Sequence, residues 1–100
     1  MIQIEEKKLY EMVMDFCKQE YKNLDLYERL EIERGGKLTP QEVDGAAKRA
    51  FGAVMFVTNV LVGYDKSLEL ANWWNDDMTL RFWNRYFKVA GSSRRFDISE

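Results

Sequence analysis

Arg81, Arg85 and Lys88 follow i, i+4, i+7 spacing and so line one ridge of a helix, with Arg94 and Arg95 continuing the charge just beyond it. Such a ridge neutralises phosphates, and Trp83, Tyr86 or Phe96 beside it supply rings on which unpaired bases can stack. It also suits a plainer task, a solvated face that pairs with an acidic helix of the same chain. The plainer task ranks first, because the net charge is −2 and the pI is near 5.3, whereas nucleic-acid-binding domains are strongly basic. No zinc finger, ribonucleoprotein-type aromatic motif or GXXG loop accompanies the ridge.

Aromatic residues crowd the same region: Trp73, Trp74, Phe82, Trp83, Tyr86 and Phe87 fall within fifteen residues. Neighbouring side chains on a helix diverge by about 100°, so Trp73 and Trp74 cannot both face the core and one of them should be partly exposed. Tryptophan, tyrosine and arginine carry much of the binding energy at protein interfaces. The expected partner-binding set is therefore Trp73, Trp74, Arg81, Trp83, Arg85, Lys88, Arg94 and Arg95. The alternative is an ordinary core with one residue at its rim.

Other chemistry is excluded by what the chain lacks. There are no histidines and one cysteine, Cys17, so neither an internal disulfide nor a Cys/His zinc site can form within one chain. The Ser/His/Asp and Cys/His nucleophile arrangements both need an imidazole. Gly35-Gly36 lacks the spacing of a phosphate-cradling loop. We expect no catalytic residue, cofactor, metal or small-molecule substrate. Cys17 should be a small buried hydrophobe. Glu20, on an apolar stripe, is either a perturbed functional acid or the partner of an arginine from the last helix, and the structural pair ranks first.

These residues must be positioned by helices. In 100 residues there is one proline, and 46% of the chain is hydrophobic, the composition of a single globular domain. Residues 3–34 contain neither proline nor glycine and place Leu9, Val13, Phe16, Leu24, Tyr27 and Leu30 on one face. Read as a heptad seam, Leu9, Val13, Phe16, Glu20, Asn23, Tyr27 and Leu30 include two adjacent polar positions, which weakens an isolated coiled coil. A helix of this length extends roughly 46 Å, against a radius of gyration near 13 Å for a compact domain of this size. Either it breaks around Asn23-Leu24-Asp25, or its overhang packs against a second copy; the second option is preferred.

Gly35-Gly36 should close this helix. Thr39-Pro40-Gln41-Glu42 is a capping box with proline at the first helical position, so a second helix starts at Pro40. Beyond Arg49 that helix is apolar on nearly every side, through Phe51, Val54, Met55, Phe56, Val57, Val60, Leu61 and Val62, as a helix surrounded by others would be. A strand over residues 53–62 ranks second, for want of a partner strand. Gly63 should end the second helix, Asp65 cap a short third one from Lys66 to about Trp74, and Asn75-Asp76-Asp77 form a turn. A last helix then runs from Met78 to about Ala90, closed by Gly91.

The expected fold is all-α: a small bundle of three to four helices with a long N-terminal helix and a buried central one, spanning residues 1–91, followed by a loosely ordered tail, 92–100. The longest apolar stretch, Ala50 to Val62, is too short to cross a bilayer, and charges at Glu5, Glu6, Lys7 and Lys8 interrupt any export signal, so a cytoplasmic location is expected. The function expected is a small non-catalytic protein-interaction module that self-associates as a homodimer through helix packing. It would use the aromatic and basic C-terminal region or the overhanging first helix. The alternative is weak nucleic-acid binding by the basic C-terminal helix. In size and style the chain also resembles small accessory proteins of phages and other mobile elements, which would imply inhibition of a host protein.

Overall fold

A computed structural model describes residues 5–60 and 64–98. The chain is an all-α bundle. Helix α1 spans Glu6–Glu33, α2 Pro40–Val60, α3 Tyr64–Trp73 and α4 Thr79–Val89, with a π-helical turn, Trp74–Met78, joining α3 to α4. Among the described residues there is no strand. The segment that favours β structure by composition is helical as far as Val60; Leu61, Val62 and the expected stop at Gly63 lie outside the described residues.

α1 does not break at Asn23-Leu24-Asp25. Leu24 is fully buried there, and that burial outweighs the local preference of its polar neighbours for a turn. At its end Gly35 adopts φ 79°. Gly35 N–H donates to Ile32 O at 3.0 Å and Gly36 N–H to Glu31 O at 2.7 Å, the paired bonds of a Schellman motif. Gly91 (φ 76°) closes α4 the same way, with Ser92 N–H donating to Phe87 O at 2.9 Å.

The capping box forms in part. Thr39 Oγ1 accepts from Glu42 N–H at 3.3 Å and donates to Glu42 Oε1 at 3.1 Å. The glutamate thus holds the hydroxyl of Thr39 rather than its amide. α2 packs against α1, α3 and α4, so it is the central helix. Its burial is one-sided, however. Val43, Ala46, Ala50, Val54 and Val57 are buried, while Phe51, Met55, Phe56 and Val60 are exposed. The remaining helices cover only part of its apolar circumference.

The expected turn at Asn75-Asp76-Asp77 is instead continuous helix, widened into a π turn in which Thr79 N–H donates to Trp74 O. The reason lies in the core. Leu70, Trp74, Met78 and Phe82 are all buried and are spaced four apart, a step that drifts around an α-helix at 3.6 residues per turn. One wider turn returns the later pair to the face of the earlier pair. α3 also begins at Tyr64, two residues before the expected start, leaving Asp65 in the first turn.

Four elements meet around Trp74 and Phe82: Tyr21 of α1 packs edge-on against Phe82 of α4 at 5.4 Å between centroids, and Trp74 of the π turn lies between Phe82 at 6.1 Å and Phe51 of α2 at 5.9 Å. Residues 92–98 have no regular structure, yet they are fastened to α4. Asn84 Nδ2 donates to Phe96 O at 2.9 Å, and Asn84 Oδ1 accepts from Phe96 N–H at 2.7 Å.

Candidate interaction surfaces

The basic ridge on α4 is largely neutralised within the chain. The side chain of Arg85 is only 10% exposed; its Nη1 donates to Asp25 Oδ1 at 2.8 Å and its Nη2 to Glu28, both on α1. Arg81 Nε holds Asp77 Oδ1 at 2.5 Å, one turn back. Lys88, Arg94 and Arg95 are exposed. The structure does not bring the five cations together as one free strip.

The tryptophans divide as helix geometry requires. Trp74 is buried, Trp73 is half-buried and Trp83 is 48% exposed. Trp83 belongs to an outer aromatic row, 5.7 Å from Tyr86 and 5.6 Å from Phe87, and Phe87 lies 6.0 Å from Phe96 of the tail. A groove of about 540 Å³ runs between the first half of α2 and the π turn with α4. Its walls include Pro40, Phe51, Trp74, Thr79, Trp83 and Tyr86. No family model, curated protein or solved structure matches this chain.

Glu20 pairs with a different helix from the one expected. Its carboxylate accepts from Arg49 of α2, Oε2 lying 3.0 Å from Nη2, rather than from an arginine of the last helix. α1 and α2 are antiparallel neighbours, so Arg49 lies level with Glu20, while Arg85 meets α1 further along, at Asp25 and Glu28. Cys17 is fully buried, and its thiol contacts Ala50 O at 3.6 Å. Burial, reinforced by the nearby Glu20 carboxylate, pushes that thiol up to about 12. Among the described residues, no three His, Cys, Asp or Glu side chains come together as metal ligands, and no helix is long and apolar enough to cross a membrane.

What the sequence reading missed is the amount of apolar side chain left outside. Thirteen large hydrophobic side chains are exposed among the described residues, as many as the apolar residues that are buried. They include Met12, Phe16, Leu26, Tyr27 and Leu30 on α1 and Phe56 on α2. The expected seam on α1 in fact splits. Val13 turns into the core and Glu20 is taken by Arg49, while Phe16, Tyr27 and Leu30 stay outside. A second heptad reading, one residue earlier at alternate positions, would have found the exposed stripe: Met12 for Val13, Gln19 for Glu20 and Leu26 for Tyr27.

Proposed function

We propose that this chain is a small non-catalytic protein-interaction module that associates with copies of itself through helix packing. The observation that carries this reading is the exposed apolar surface. Soluble monomers rarely leave large contiguous apolar patches open to water. The shape agrees: the radius of gyration is 15.2 Å and the extents are 47 × 30 × 21 Å, where a compact domain of this length has a radius near 13 Å. α1 alone is about 42 Å long at 1.5 Å per residue, so it runs nearly the full length of the molecule.

Nucleic-acid binding by the basic helix is the weaker reading, because Arg85 and Arg81 already hold carboxylates and the chain carries net charge −2. A single free thiol suits a reducing cytoplasm. Docking of a different protein, as an inhibitor of a host protein would require, has the groove beside Trp83 available.

Self-association that covers apolar surface stabilises the folded chain by mass action. The urea midpoint is therefore expected to rise with protein concentration from low micromolar upward. A midpoint independent of concentration would count against the reading.

A further inference from the structure

Met12, Phe16, Gln19, Asn23, Leu26 and Leu30 step alternately by four and three residues along α1, the spacing of a helix-pairing seam. They form a stripe beside the core-facing residues Val13, Cys17 and Leu24, on a side left open among the described residues. Met12 is 51% exposed, Phe16 43%, Leu26 49% and Leu30 37%. The polar centre is internally bonded, Gln19 Nε2 donating to Asn23 Oδ1 at 2.9 Å. Counted from its two ends the stripe is nearly palindromic: Met12 corresponds to Leu30, Phe16 to Leu26 and Gln19 to Asn23.

Resting on the self-association reading above, we infer that this stripe is the interface for a second copy of the same chain, with the two α1 helices antiparallel about a twofold axis that passes between Gln19 and Asn23. A twofold interface pairs residue i with j and j with i. The antiparallel register therefore layers Met12 on Leu30, Phe16 on Leu26 and the amide of Gln19 on that of Asn23, apolar on apolar and polar on polar. A polar layer in an apolar seam fixes register, because any slip buries the amides against hydrocarbon.

Charge favours the antiparallel direction on balance, two attractive Asp15–Arg29 approaches outweighing one approach of Lys22 to its own copy at the axis. Asp15 and Arg29, both exposed, precede Phe16 and Leu30 on the same flank. Antiparallel pairing brings Asp15 of one copy within a turn of Arg29 of the other, twice per dimer. Parallel pairing instead sets Asp15 towards Glu20 of the second copy.

Area supports a second copy as the occupant. The chain exposes 7215 Å², whereas a compact monomer of this mass exposes about 5,900 Å². The excess, about 1,300 Å² over the whole elongated chain, is larger than the roughly 800 Å² that each partner gives to an interface of standard size. The patch is broadened from α2. Phe56, 66% exposed, stands two turns beyond Arg49, whose contact with Glu20 marks this flank of the α1–α2 pair. Two such helix pairs joined along the stripe make a four-helix arrangement.

The test combines charge insertion with disulfide trapping. By sedimentation, the wild-type chain is expected to be dimeric. Phe16→Glu and Leu26→Glu should each weaken the dimer by roughly 100-fold while the helical circular dichroism is kept, since truncating an interface anchor from both copies costs at least that. Leu68→Glu, an exposed apolar site on α3, should stay dimeric. Oxidising a mixture of Met12→Cys and Leu30→Cys chains reads the orientation without breaking the interface, and the buried Cys17 does not compete. The antiparallel register gives the mixed disulfide, whereas predominant Met12→Cys and Leu30→Cys homodimers would overturn it. A dimer that survives both glutamate substitutions overturns the interface but leaves self-association standing. A monomeric wild type overturns self-association and the interface with it.

Discussion

Arg85 of α4 reaches Asp25 of α1 across the bundle, its Nη1 2.8 Å from Oδ1, while the same guanidinium holds Glu28. A nearly buried cation on one helix is thus matched by two carboxylates on another, and α4 is fixed to α1 at a point sixty residues away in sequence. Arg85 Nε is buried without a hydrogen-bond partner, which offsets part of the gain. Because Asp25 remains exposed, it is solvated once the arginine is gone. Arg85→Ala is therefore expected to cost about 1–2 kcal/mol, below the loss typical of a fully buried pair. Urea denaturation at low and high salt checks this, and a loss below 0.5 kcal/mol (about the scatter of a surface pair) would place the contact among weak surface ion pairs.

The Thr39 hydroxyl serves α2 twice, accepting from Glu42 N–H and donating to the Glu42 carboxylate. Thr39→Ala should lower stability by about 1 kcal/mol, the usual value of an N-cap. Thr39→Ser should keep most of it, because the hydroxyl is what matters. An unchanged denaturation midpoint in the alanine variant would show that the cap contributes nothing.

Two glycines should respond to alanine with opposite signs. Gly35 sits at φ 79°, where a Cβ costs about 1–2 kcal/mol in left-handed backbone. Gly52 lies inside α2 with nothing within 4 Å of an added Cβ, so Gly52→Ala should stabilise by about 0.5–1 kcal/mol through helix propensity and a stiffer unfolded chain. Melting temperatures of the two variants, measured at one protein concentration, should move in opposite directions.

Cys17 makes a pH prediction. Its folded thiol is pushed up to about 12 from an ordinary value near 9 by burial and by Glu20. A raised folded pKa means the folded state holds the proton more tightly. The corresponding stabilisation is complete below about pH 9 and is lost as the pH climbs towards 12. The stability difference between the wild type and Cys17→Ala should therefore shrink across that window. At neutral pH a thiol reagent should react with Cys17 only as fast as the chain opens.

Much of the fold is legible in local sequence. Gly35 and Gly91 end helices for the reason glycine usually does, and Thr39-Pro40 starts one, because each of these signals is complete within a few residues. The π turn is not legible in this way. Asn75-Asp76-Asp77 has the composition of a turn, and only the burial of Leu70, Trp74, Met78 and Phe82 against other helices keeps the chain helical through it. The candidate surfaces divide along the same line. That one of Trp73 and Trp74 is partly exposed follows from helix geometry alone. Which face of α1 meets the core does not, since two heptad readings one residue apart are both apolar. The choice is made by the Glu20–Arg49 pair and by Val13, Cys17 and Leu24 packing against α2, contacts distant in sequence.

Self-association is tested most directly by the mass of the chain in solution. Light scattering on a size-exclusion peak at tens of micromolar is expected to give about twice 11.9 kDa, falling towards the single-chain mass on dilution. A mass of one chain across the whole concentration range would contradict it, leaving the exposed apolar face of α1 without a second copy to cover it.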